Sequence, residues 1–312
     1  MDVLTEALGS MRTGHPAAVR TEGSAPWALQ LPSVAGSGFH VVLRGSCWLT
    51  PLNAAGSALE PIALSSGDVV FLRDGRGHIL ADDPVTEPVL LAAVRPSKSS
   101  PIGCVRVGGG GTGASLLCGN YHLDQGRAHP LVSQLPEIIH VRPQPGRHLE
   151  LTAAVQLLRA ELENPRIGSD GIVPALIDSL LLYILRSWFE DQPAATAAGW
   201  AAALRDPGIA PVLAAIHENP AANWTVESLA GKAGLSRAAF ARRFATLVGE
   251  PPLAYVTRWR MTTAATLLRE SDAPLSTVAA HAGYGSEFAF AKAFKREYGL
   301  APGGYRHRAR VA

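Results

Sequence analysis

The stretches GLSRAAFARRFATLVG (Gly234–Gly249) and GYGSEFAFAKAFKREYG (Gly283–Gly299) decide how the chain is read. Each has a short turn, a serine, two phenylalanines four apart, interleaved basic residues and a closing glycine. At 100° per residue, Phe240, Phe244 and Leu247 share one face of a helix, and Phe290 and Phe294 share one face of another. Ser236 and Ser286 stand where a helix N-cap belongs, because a serine oxygen there accepts an otherwise unpaired backbone N–H. The preceding residues repeat too. WTVESLAGKAGLS and PLSTVAAHAGYGS each give a short helix around Leu229 or Val278, then a glycine turn. Upstream positions match at an offset of 49 and downstream ones at 50, which puts one extra residue in the second turn. A short helix, a tight turn and a capped second helix spell a helix-turn-helix, whose second helix enters the major groove of DNA.

The outward faces mix arginine and lysine with alanine. Cations neutralise phosphates and bond guanine, small residues allow close approach, and alanine or phenylalanine can touch a thymine methyl. Between the copies, PLAYVTRWRMTTAATLLRE reads as one helix beginning near Pro252. At 1.5 Å per residue it is about 27 Å long. Successive major-groove faces on one side of B-DNA lie ~34 Å apart. A rod of that size would set two reading helices in neighbouring grooves.

Residues from about Arg205 to Arg308 resemble the DNA-binding domain of the AraC/XylS family, through SEFAFAKAFKREYGLAPGGYR with its Gly-x-x-Pro-x-x-Tyr-Arg ending and through GEPPLAYVTRWRM as a linker helix. The resemblance implies base contacts from Arg237, Ala238, Ala241 and Arg242 on the first reading helix and from Glu287, Phe288, Ala289 and Lys292 on the second. Ser236, Arg243, Ser286 and Lys295 complete the expected DNA face. Alanines at 238, 241 and 289 stand where the family often carries larger polar readers, so few side chains plus DNA shape would set specificity.

Composition agrees with this reading. The 312 residues suffice for two domains, and 47% hydrophobic with 17% charged residues suits a globular chain. Net charge is +2. From Arg205 onward there are 14 Lys/Arg and 8 Asp/Glu, giving +6, whereas Met1–Leu204 has 14 and 18, giving −4. A basic C-terminal part asks for an acidic partner, and double-stranded DNA is the usual one. IVPALIDSLLLYILRSWF carries Asp178 and Arg186 and reads as a buried amphipathic helix, not a membrane span. The first residues lack the apolar region of a signal peptide, so the expected location is cytoplasmic. Three cysteines make no disulfide framework.

Residues 20–145 read as strands and glycine turns, and residues 147–189 as a hairpin of two helices, with QPAATAAG (Gln192–Gly199) as a linker. GDVVFLRDGRGHIL (Gly67–Leu80) and FHVVLRGSCWL (Phe39–Leu49) resemble a cupin's second motif and the strand before it. The paired histidines and glutamate of metal-binding cupins are missing from the first motif, so dioxygenase or isomerase chemistry is not expected. His40, Cys47, His78, Cys104, Cys118 and His122 are the candidates for an effector or a zinc ion in this half. Similar cupin-bearing regulators imply an oxidant sensor as another role for the thiols. GGGGTG (Gly108–Gly113) lacks the Lys-Ser/Thr of a phosphate cradle.

The expected fold is α+β and multidomain. A cupin-like β-barrel sensor (1–145) precedes a helical hairpin for linkage or dimerisation (146–198) and an all-α domain with two helix-turn-helix units (205–308). The expected function is sequence-specific transcription regulation, as activator or repressor, governed by a small molecule or an oxidant, with RNA polymerase and a second copy as further partners and without enzymatic activity. The alternatives are a metal-dependent cupin enzyme with a helical interaction module, and an architectural DNA-bending protein.

Overall fold

The structure, a computed structural model, describes residues 2–97, 101–123, 129–193 and 199–311. The proposed linker is therefore mostly outside the described residues. The chain divides into two compact units: Met11–Ala128 with Leu135–Gln192, and Met1–Ser10 with His129–Gln134 and Pro193–Ala312.

The first unit is built on eleven strands: β1 (Ala17–Ser24), β2 (Ala28–Leu31), β3 (Ser37–Arg44), β4 (Ser46–Pro51), β5 (Ile62–Ser65), β6 (Val69–Leu72), β7 (His78–Ala81), β8 (Val89–Leu90), β9 (Gly103–Gly108), β10 (Gly113–Tyr121) and β11 (Ile138–Val141). They form a six-stranded sheet ordered β11-β6-β3-β10-β1-β9 and a five-stranded sheet ordered β5-β4-β7-β2-β8. The expected barrel is corrected here to two open sheets. β8 is two residues long and pairs in parallel only with β2, too short a ladder to carry closure around. Gly45 and Gly67, at φ +78° and +92°, make the turns that begin β4 and precede β6.

Alternation along β3 and β10 sends His40, Val42, Leu116 and Cys118 toward one core, shared with Leu29, Leu49 and Leu80 of the other sheet. Every residue of β3 except Arg44 is buried, so both faces of this sheet are covered. The helices Leu149–Glu163 and Ser169–Asp191 cover the second face, and the Tyr121 hydroxyl donates to the Ile177 carbonyl at 2.8 Å. Ser169–Asp191 is long and apolar enough to cross a membrane by composition alone. Its Val173, Ile177, Leu180, Leu181, Ile184 and Leu185 are buried in this unit, and its Asp178 pairs with Arg12 at 2.9 Å. Gly108 and Gly111 have a packing role: a Cβ on Gly108 would lie 2.0 Å from the Ser24 carbonyl oxygen, and one on Gly111 2.7 Å from that of Ala25.

The second unit is helical. In chain order the helices of the molecule are α1 (Val3–Met11), α2 (Pro130–Ser133), α3 and α4 (the hairpin just given), α5 (Gly199–Ala203), α6 (Ile209–Glu218), α7 (Val226–Lys232), α8 (Arg237–Val248), α9 (Pro252–Glu270), α10 (Leu275–His281), α11 (Glu287–Tyr298) and α12 (Pro302–Val311). The central rod α9 begins at Pro252, where a proline costs no hydrogen bond. It packs on α8, α10, α11 and α12. Met261, Ala264, Ala265 and Leu268 of α9 meet Val278, Phe290 and Phe294 in one core.

Candidate nucleic-acid interface and effector cavity

The internal repeat is realised in matching hydrogen bonds at the turn and at the second cap. Leu235 N–H donates to Ala230 O at 3.0 Å, and Tyr284 N–H donates to Ala279 O at 2.9 Å. Ser236 Oγ accepts from Ala239 N–H at 3.4 Å, and Ser286 Oγ accepts from Ala289 N–H at 3.2 Å. Gly249 and Gly299 end the two helices at φ +92° and +71°, a left-handed conformation that glycine adopts without penalty. The phenylalanine pairs are fully buried, which fixes the opposite faces outward.

On α8, Arg237, Ala238 and Arg242 are exposed and Ala241 is half-buried. On α11, Glu287, Phe288, Ala289, Lys292 and Lys295 are exposed, with Phe288 at 81%. Arg237, Arg242, Lys292 and Lys295 have no ion-pair partner among the described residues. Arg243 differs. Its guanidinium grips Asp206 through Nε at 2.8 Å and also through Nη2. Asp206 additionally accepts from the Gly208 and Ile209 N–H groups at 2.9 Å, which caps the start of α6. Sequence periodicity placed Arg243 beside the DNA face, and its partner 37 residues away carries no local signal.

Other cations of the basic half also hold the scaffold. Arg258 pairs with Glu250, and Arg260 donates to the carbonyls of Pro220 and Ala222. Arg269 reaches Tyr305 Oη at 2.9 Å and Ser10 O at 2.7 Å. Arg306 donates to Ala273 O, so the Tyr-Arg ending ties α12 back to the start of α10. An aromatic cluster that the sequence did not signal joins these helices. Tyr255 Oη lies 3.2 Å from His129 Nε2 and 2.5 Å from His217 Nε2, and His217 stacks on Trp259 at 3.7 Å. Glu6 of α1 approaches His217 Nδ1 at 2.9 Å.

In the sheet unit, His40, His78 and Cys118 line one cavity of about 240 Å³. His40 Nε2 and His78 Nε2 are 2.7 Å apart, and His78 Nδ1 is 2.9 Å from Arg76 O. Desolvation by burial holds His40 well below the ordinary imidazole range and pulls His78 down to about 4. Cys47 sits in the core rather than on the cavity wall, and Cys104 and exposed His122 lie apart. A zinc ion does not fit these side chains. Two imidazoles on one tetrahedral ion at 2.0–2.1 Å would stand roughly 3.3 Å apart, wider than the observed pair. Nor do three or more His, Cys, Asp or Glu side chains converge among the described residues. Burial pushes Cys47 and Cys118 each up to about 12, which keeps them as unreactive thiols at neutral pH.

The cupin family profile matches residues 2–190, and a helix-turn-helix domain profile matches residues 229–308. A Streptomyces lividans protein described as an AraC-like transcription regulator is 36% identical over 307 residues, covering 98% of both chains. The transcriptional regulator AlkR of Acinetobacter baylyi is 30% identical over 294 residues, covering 92% of both chains. Among solved structures, the DNA-binding domain of the transcription factor AdpA in complex with a target DNA is 37% identical, covers 34% of this chain and 95% of that one, and has a TM-score of 0.33. The chain belongs to the AraC-like family of DNA-binding transcription regulators, with a cupin domain ahead of its paired helix-turn-helix units.

Proposed function

We propose that α8 and α11 read two neighbouring major grooves of one operator. Arg237 and Arg242 serve as base readers of the first block, and Phe288, Ala289 and Lys292 as readers of the second. The carrying observation is that both helices present capped N-termini and exposed reader positions while packing on α9, α8 through Phe244 against Tyr255 near its start and α11 through Phe290 and Phe294 on its later turns. Arg242 and Arg237 suit guanine edges; Phe288 and Ala289 suit thymine methyls. Glu287 suits a cytosine amino group. Lys295, one turn on, suits a phosphate. Ser236 and Ser286 hold the helix starts, and Arg243 orients α8 through Asp206 instead of touching bases.

In this reading residues 1–145 sense, 146–198 link or dimerise, and 205–308 bind DNA. The protein works in the cytoplasm without catalysing a reaction, and engages RNA polymerase and a second copy of itself. The cavity favours a small-molecule effector over an oxidant, because the thiols nearest it are protonated. Selection of bound sequences from random DNA with the full chain tests the reading. It should recover two blocks about one helical turn apart, the first guanine-containing and the second thymine-rich. Recovery of a single block would count against it.

A further inference from the structure

Hydrogen-bond accounting fixes the state of the histidine pair. The Arg76 carbonyl can only accept, so His78 Nδ1, 2.9 Å away, carries the hydrogen. Neutral His78 then has a bare Nε2, which accepts from His40 Nε2–H at 2.7 Å. That leaves His40 Nδ1 bare as well. This atom is buried and has no hydrogen-bond partner among the described residues. Buried polar atoms are nearly always paired, so an orphaned acceptor on a ring that lines the cavity asks for a donor.

The rest of the wall is largely aliphatic, with Val19, Leu31, Val34, Leu72 and Leu91 prominent and with Cys118 and Asn120 as its other polar side chains. Among the described residues, no acidic, lysine or arginine side chain lines it. We propose that the effector is an uncharged, largely apolar molecule of phenol or indole type, whose single O–H or N–H donates to His40 Nδ1. This rests on the regulator reading and names the chemistry of its sensor. The volume of about 240 Å³ exceeds the roughly 150 Å³ that holds benzene and corresponds to roughly ten non-hydrogen atoms. A carboxylate would face the bare lone pair and find no cation, since both rings stay neutral at pH 7. An ammonium would find no counter-charge.

Calorimetric titration of the full chain with 2-naphthol, 2-methoxynaphthalene and 2-naphthoate tests this. The three share a ring system; the first can donate, the second cannot, and the third is an anion. 2-Naphthol should bind about tenfold tighter than its methyl ether, the worth of one added hydrogen bond, and 2-naphthoate should not bind. In His40→Phe, which keeps a ring and removes the acceptor, the tenfold difference should vanish. Should that variant fail to fold, nitrogen NMR of the histidine-labelled native chain gives the same answer: the His40 Nδ1 signal should move with 2-naphthol and stay with the ether. No binding of 2-naphthol, equal affinity for the ether, preference for the carboxylate, or an unmoved Nδ1 signal overturns the proposal. Operator binding by the same preparation is measured alongside. A chain that grips DNA but ignores the donor sinks the effector class alone. One that prefers the donor but grips no DNA sinks the regulator reading alone.

Discussion

Phe288 stands 81% exposed in the first turn of a helix whose other two phenylalanines are fully buried. A large apolar ring gains nothing from water there, and apolar contact to a thymine methyl would give it a use. Replacing thymines of the second block by uracil removes only that methyl. Affinity of the native chain should then fall several-fold, by about 1 kcal/mol per methyl contact at most, while Phe288→Ala should bind both DNAs alike. Equal loss in both proteins would show that Phe288 does not read the methyl. Arg242→Ala should cost ~1–3 kcal/mol and relax specificity at one base pair of the first block, read by competition between operator variants. Histidine titration gives a third residue-level expectation. His78 titrates at about 4 in the folded chain and near 6.5 when unfolded, so the unfolded chain binds more protons between those values. Stability is complete above about pH 6.5 and declines as pH falls toward 4, by roughly 3 kcal/mol from this ring. Urea denaturation of the sheet unit's signal across that window checks it; a flat profile would contradict the neutral pair.

Among the elements, the two helix-turn-helix copies were legible because glycine, serine and phenylalanine each do a position-specific job that a sequence displays. Gly234 and Gly283 turn at φ +66° and +74°, Ser236 and Ser286 cap, and the phenylalanines fill the core. α9 was legible from its apolar spacing and its leading proline. Sheet closure was not, because strand periodicity reports which side is buried and says nothing about which edges pair. Nor were long-range polar contacts. Asp206 reads locally as a turn residue, yet it caps α6 and anchors Arg243 of α8. Asp206→Ala should therefore lower stability by about 1–2 kcal/mol through the lost cap. It should also weaken binding at the first block without altering base preference, measured by denaturation and by operator titration. Unchanged stability would show the contact to be idle.

Across the molecule, the charge asymmetry pointed to DNA but overstated the contact surface. Of the 14 cations from Arg205 onward, Arg243, Arg258, Arg260, Arg269 and Arg306 are engaged within the helical unit. The logarithm of affinity should then fall with the logarithm of salt at a slope no steeper than about −8, short of the roughly −12 that all of them would give. Lys295→Ala should flatten that slope by about one. The histidine pair of the cavity was named from sequence, but its tautomers and its bare Nδ1 needed a carbonyl two residues away and a partner strand in the other sheet. Residues Met1–Ser10 join the helical unit through Glu6 and Ser10, which the chain order hid.

The central claim is that one rigid rod, α9, fixes the separation of two reading helices in a single chain. The most direct measurement is affinity for an operator whose two blocks are separated by five additional base pairs. That insertion turns the second block to the far side of the duplex, and affinity should fall to the level of the first block alone, at least a hundredfold below the native spacing. An operator bound equally well with and without the insertion would contradict the account.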